Sequence, residues 1–152
     1  DGVDNNGQAY STTRLEQGEG DQLTSIPIDL SQTSATNDVY LSFYWQAGGK
    51  GERPDDSDAL ELYFLDSEGK WVLVWSQEGG DDVASDQFVQ VLLPVAEQFH
   101  YEAFQFKFQQ SGRLSGPFDT WVLDYIYLNK GRDATDRYPA DRALTQFCHS
   151  LF

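Results

Sequence analysis

Residues 39–46, Val39-Tyr40-Leu41-Ser42-Phe43-Tyr44-Trp45-Gln46, decide the fold. In an extended chain successive side chains point to opposite faces, so Val39, Leu41, Phe43 and Trp45 share one side and Tyr40, Ser42, Tyr44 and Gln46 the other. The same period of two recurs outward along the chain. In residues 59–65, Leu60, Leu62 and Phe64 oppose Glu61, Tyr63 and Leu65; Asp66-Ser67-Glu68-Gly69 then supplies turn chemistry, and 71–75 resumes as strand, which predicts a hairpin. Phe104, Phe106 and Phe108 oppose Gln105, Lys107 and Gln109. A run at 22–29 is marked as an edge or irregular strand by Pro27, and another at 88–93 is ended by Pro94. The stretch 120–128 is almost continuously apolar and aromatic apart from Asp124, which predicts a strand covered on both faces. Seven short strands with alternating faces and no convincing amphipathic helix predict an all-β antiparallel sandwich or barrel. Trp45, Trp71, Trp75 and Trp121 are assigned to its core.

Composition bounds the rest. At 152 residues the chain is one domain's worth, long enough to bury about two-thirds of its unfolded surface without a disulfide or metal scaffold. Aromatic residues make up 14%, which excludes wholesale disorder. A net charge of −15 excludes nucleic acid and anionic membrane surfaces as default partners, since those are bound by Lys and Arg. A single cysteine, Cys148, excludes an intrachain disulfide and four-thiolate zinc sites. No apolar run is long enough for a membrane-spanning helix, so no membrane insertion is expected. The first residue is Asp1 rather than Met, which reads as a mature or excised piece. Residues 1–131 are expected to form the sandwich. Residues 132–152, where Arg132, Asp133, Asp136, Arg137, Asp141 and Arg142 alternate in charge, read as a linker or tail with a short helix around 140–147.

Two stretches carry a resemblance. Phe104-Gln105-Phe106-Lys107-Phe108, followed by a Gly-containing loop and then residues 116–128 (Gly-Pro-Phe-Asp-Thr-Trp-Val-Leu-Asp-Tyr-Ile-Tyr-Leu), resembles the last two strands of jelly-roll modules of the MAM and concanavalin-like kind, whose final strand reads Asp-x-Trp-x-Leu-Asp-x-Ile. Together with Asp1-Gly2-Val3-Asp4, residues 41–49 and residues 54–60, the chain is similar to modules of secreted and surface proteins of type IX-secreting Bacteroidetes, a group that includes a plug component associated with the translocon. The resemblance implies an antiparallel jelly-roll β-sandwich. It also implies a secreted, cell-surface or periplasmic setting and a protein partner in a secretion or surface assembly. Jelly rolls host lectins, adhesion modules and accessory domains alike, so it does not imply a task.

Acidic loops offer a metal site. Asp55 and Asp58 from one loop, with Asp119 or Asp124 flanking Trp121, are candidate ligands of a structural Ca²⁺, a hard cation that takes six to eight oxygens. Asp119 and Asp124 differ by an odd number and point to opposite faces of a regular strand, so both serve one site only across a bulge. The alternative is that Asp119 ends a loop and Asp124 accepts hydrogen bonds. Tyr40, Tyr44, Glu61, Tyr63, Gln105 and Lys107 lie on the less apolar faces of their strands; were those strands neighbours, they would form a surface suited to stacking and hydrogen bonding a glycan, while the alternative is ordinary cross-strand packing. Catalysis finds little support: Glu61 and Asp66 face opposite ways, the Glu-x-Asp-x-x-Glu signature of concanavalin-like glycosidases is absent, and neither His100 nor His149 lies near a nucleophile elbow. The leading expectation is a non-catalytic interaction or accessory module, with a carbohydrate-binding module second and a concanavalin-type glycan hydrolase third.

Overall fold

A computed structural model describes residues 2–34, 36, 38–84 and 86–137. The chain is an antiparallel β-sandwich of seven strands: β1 Gln17–Thr24, β2 Tyr40–Ala47, β3 Ala59–Leu65, β4 Trp71–Glu78, β5 Val89–Pro94, β6 Phe106–Arg113 and β7 Trp121–Asn129. One sheet has the order β1-β6-β3-β4 and the other β5-β2-β7. Apart from the β3–β4 hairpin, every connection carries the chain from one sheet to the other, which is the crossing habit of jelly rolls. Among the described residues there is no α-helix; a 3₁₀ turn spans Glu97–Phe99.

The alternation in residues 39–46 places Leu41, Phe43 and Trp45 between the sheets, where Leu41 and Phe43 are wholly buried. Phe43 meets Trp75 of β4 at 5.1 Å and Phe108 of β6 at 4.8 Å, both edge to face. Phe64 makes the same contact with Phe104 at 5.2 Å and Phe99 at 5.3 Å. These ring pairs bind the two layers beyond what area burial alone supplies.

Three expectations are corrected. The first strand is not 22–29: β1 begins at Gln17, and beyond Thr24 the chain is held by Ser25, which bonds to Phe106 and Gln105, and by an isolated bridge from Ile28 to Phe104. Its ladder with β6 is made by backbone groups of mostly exposed polar residues at the sheet edge, so side-chain alternation does not report it. Second, β7 is not covered on both faces. Trp121 and Leu123 pack against the core, Asp124 and Tyr125 are exposed, and Ile126 and Leu128 return to the core. Tyr125 has φ 51°, and the register with β2 shifts between Ser42 and Tyr44. This bulge switches the inward side chains from odd to even numbers, which is why the strand reads as continuously apolar. Third, Trp71 is not core. β4 carries an extra residue, Val74, opposite the Leu62–Tyr63 step; Trp75 therefore faces inward, while Trp71 and Leu73 face outward with exposures of 37% and 49%.

Beyond β7 the chain folds back onto the outer face of the three-stranded sheet. The guanidinium of Arg132, a residue only 5% exposed, donates to Asp136 Oδ2 at 2.7 Å, Ser42 Oγ at 3.0 Å and the Tyr127 carbonyl at 3.1 Å. The Arg137 carbonyl accepts from Tyr44 at 3.3 Å and from Gln90 at 2.6 Å. Residues 132–137, expected in the tail, thus pack on the sandwich; the short helix expected at 140–147, Cys148 and His149 lie outside the described residues.

Candidate metal centre and outer faces

The site begins with a turn. Asp58 donates its backbone N–H to the Asp55 carbonyl at 3.0 Å, and its own carboxylate, through Oδ2, accepts the Asp55 N–H at 2.6 Å. The β2–β3 loop is thereby closed on itself just before β3. The loop after β4 is strapped to it: Gly79 N–H donates to the Asp58 carbonyl at 2.9 Å and Gly80 N–H to the Pro54 carbonyl at 3.0 Å. Glycine is required at 79, because a Cβ there would lie 2.2 Å from the Asp55 carbonyl oxygen. Asp119 arrives from the other direction. It stands two residues before β7 at φ 58°, a left-handed conformation that Asp tolerates better than most residues, and its Oδ2 accepts the Arg113 N–H at 2.8 Å.

These constraints bring carboxylate oxygens of Asp55, Asp58 and Asp119 within 4.8 Å of one another. Asp58 and Asp119 are buried, at 0% and 1% exposure, whereas Asp55 sits at the exposed rim with Oδ2 3.7 Å from Arg113 Nη2. Burial pushes the Asp58 carboxyl up to about 6; the N–H of Asp55 opposes this, and the neighbouring charge of Asp119 adds to it. With both carboxylates ionised, Asp58 Oδ1 has no hydrogen-bond partner, a proton shared with the Asp119 side chain being what raises its carboxyl further; neither polar atom of the Gln110 amide, on a residue only 4% exposed, has a partner. A Cβ on Gly112 would lie 2.4 Å from Gln110 Nε2 and 3.2 Å from Asp119 Oδ2, so the orphaned amide reaches over Gly112 to the margin of the acidic cluster. The three carboxylates thus offer an all-oxygen set within 4.8 Å of one another, with Asp58 Oδ1 unpartnered. That is the chemistry a hard divalent cation requires.

Of the four carboxylates expected as metal ligands, Asp55, Asp58 and Asp119 come together and Asp124 does not. Asp124 lies in the β7 bulge, exposed, accepting the Tyr125 N–H at 2.7 Å. The signal for Gln110 was absent from the sequence, where it read as one more polar residue after an aromatic strand.

The six residues expected on one glycan-binding face are divided between the two outer faces of the sandwich. Tyr40 and Tyr44 belong to β2 in the three-stranded sheet, whose outer face is crossed by residues 132–137. Glu61, Tyr63, Gln105 and Lys107 belong to the other sheet, where Tyr63 is the cross-strand partner of Lys107. There Lys107 Nζ lies 5.0 Å from the Tyr63 ring centroid and 5.2 Å from that of Trp71. Tyr63 donates to Glu61 Oε2 at 2.8 Å, and burial together with that carboxylate pushes its hydroxyl up to about 12. The Gln105 amide is committed to the Ser25 carbonyl at 2.6 Å. Trp71 and Leu73 are exposed on the same outer face as Tyr63. His100 is held by Thr33 Oγ1 at 3.1 Å and the Val95 carbonyl at 2.9 Å, a bracing role. No protein-family model matches the chain, and no curated protein matches it significantly.

Proposed function

We propose that this chain is a non-catalytic interaction or accessory β-sandwich module of a secreted or cell-surface bacterial protein, with a structural Ca²⁺ held by Asp55, Asp58 and Asp119. The observation that carries the reading is the pair of buried carboxylates, Asp58 and Asp119, with an unpartnered oxygen on Asp58. Buried charges are costly unless paired, and a cation between three carboxylates supplies the pairing. Because both carboxylates are shut off from solvent, neither is placed to touch a substrate, which favours bracing over hydrolysis. The ion would tie the β2–β3 loop to the start of β7 and to the end of β6, fixing one end of the sandwich. The resemblance to modules of type IX-secreting Bacteroidetes supports the setting, where calcium is abundant enough for weak extracellular sites.

A second reading, a carbohydrate-binding module, is favoured by one observation: Trp71 and Tyr63 lie side by side on an outer sheet face with Lys107 between their rings. It rests on four of the six residues first considered, with Trp71 added.

Calorimetry with CaCl₂ and melting curves in EDTA test the first reading. Added calcium is expected to bind at one site and raise the melting temperature by several degrees, and Asp119→Asn to abolish both effects. Indifference of the wild-type chain to calcium and to chelator removes the ion. A glycan array tests the second reading, with Trp71→Ala expected to erase any binding to that face.

A further inference from the structure

A groove at the loop end of the sandwich departs from the charge of the whole molecule. Acidic residues outnumber basic ones 25 to 10, yet the eight residues lining this groove are Ala9, Ser11, Thr12, Arg14, Leu15, Arg113, Ser115 and Phe118, with two arginines; the carboxylates next to it are Glu16, which accepts from the Ser11 hydroxyl, and Asp55, beside Arg113. Its volume is about 640 Å³, ample for a sugar ring and its substituents. The walls are fixed by backbone hydrogen bonds: Ser11 N–H donates to the Leu114 carbonyl at 2.9 Å, Leu114 N–H to the Glu16 carbonyl at 2.8 Å and Gly2 N–H to the Gly116 carbonyl at 3.1 Å.

The two guanidinium groups are under-used. Arg113 lies 4.6 Å from the Phe118 ring centroid, which sets its plane; its Nε has no partner, and its one acidic contact, Asp55, is 3.7 Å away and exposed. The Arg14 side chain makes no hydrogen bond or ion pair among the described residues. A planar guanidinium held on an aromatic ring is pre-organised for the two oxygens of a carboxylate or sulfate. At physiological ionic strength charges beyond about 8 Å are largely screened, so the balance in the groove is set by Arg14 and Arg113 against the adjacent Asp55 and Glu16 and not by the net charge of the whole molecule.

We propose that this groove binds an acidic saccharide, the carboxylate or sulfate of one sugar unit lying between Arg14 and Arg113, with the Thr12 hydroxyl and the Ser115 oxygen, whose own proton goes to the Arg14 carbonyl at 2.9 Å, meeting the sugar's hydroxyls and Leu15 covering its apolar side. The hydroxyl-lined wall favours a sugar over an acidic peptide. The inference does not depend on the Trp71 face; it shares Asp55, 3.7 Å from Arg113, with the cation site.

The test is ligand-observed NMR on the whole chain at physiological salt, with glucuronate and glucose 6-sulfate as probes, glucose as the neutral control and glutamate as the non-sugar carboxylate. Saturable binding of the acidic sugars is expected. Arg113→Lys, which keeps the charge and loses the fork, and Arg14→Gln should each weaken it at least tenfold. Trp71→Ala should leave it unchanged, and binding should persist in EDTA even though Asp55 is then free to pair with Arg113, which separates its failure from that of the two readings above. Arg14 is exposed, so Arg14→Gln keeps the test valid should Arg113→Lys disturb the fold. Absence of binding, equal binding of glucose or glutamate, or an unchanged affinity in Arg14→Gln overturns the proposal.

Discussion

Removing divalent ions should turn Asp58 into a liability whose size can be worked from its surroundings. Its carboxyl is raised from 3.8 to about 6 by burial and by the charge of Asp119. Between these values the folded chain holds a proton that the unfolded chain has lost. Folded molecules then bind more protons than unfolded ones, and stability falls as pH rises. Below pH 3.8 both states are protonated and nothing is lost; above pH 6 both are ionised and the whole penalty is present. A shift of this size corresponds to about 3 kcal/mol. For a domain of this length that is a drop of about 6–12 °C in melting temperature.

The assay is a melting curve in EDTA at half-unit intervals from pH 4 to pH 7.5, for the wild type and for Asp58→Asn. The Asn carbonyl oxygen can keep accepting the Asp55 N–H while removing the titration. Subtracting the two profiles cancels the exposed carboxylates, and the difference should open between pH 4 and pH 6 with the wild type losing ground. Saturating calcium should close it again, since the ion takes the place of the proton. Parallel profiles, or a wild type that gains stability across this interval in EDTA relative to Asp58→Asn, would refute the reasoning.

Phe43→Ala removes a fully buried ring held edge-on by Trp75 and Phe108, and should cost about 3–5 kcal/mol, read as a lowered urea midpoint with loss of near-ultraviolet dichroism. Arg132→Gln takes away the donors that tie Ser42, Tyr127 and Asp136 together and should cost about 2–3 kcal/mol in urea unfolding. In a spectrophotometric titration one tyrosine should resist ionisation until about pH 12, and Tyr63→Phe should delete that late step alone.

The fold was legible where a strand keeps one parity from end to end. Leu41, Phe43 and Trp45 in β2 and Leu60, Leu62 and Phe64 in β3 announce their inward faces, and all six are buried. Legibility failed at bulges, where one extra residue exchanges the faces. Val74 does this in β4, so Trp71 and Trp75 share a parity in the sequence but point to opposite sides of the sheet. Asp124 and Tyr125 do it in β7. β1 was displaced for another reason, because an edge ladder built from backbone groups leaves no side-chain pattern. The acidic cluster was partly legible because Asp55 and Asp58 share one turn, and Asp119 stood out as a carboxylate at the mouth of a strand. Gln110 was not, since its amide reaches toward Asp119 only through the room that the missing Cβ of Gly112 leaves, a property of two strand positions and a distant loop together. The split of the tyrosine set was hidden for the same reason: strand neighbours are decided by crossings between layers, which local periodicity does not encode.

The interruptions that obscured the reading also guard the molecule's borders. The polar ladder of β1 slips register between Glu19 and Gln22, β7 buckles at Tyr125, and β5 ends on Pro94. A neighbour approaching any of these margins meets a kinked or donor-poor backbone instead of a flat template. Crowded copies of this chain should consequently resist zipping into continuous ribbons, and repairing the kinks by deleting Val74 or Tyr125 would be expected to weaken that resistance.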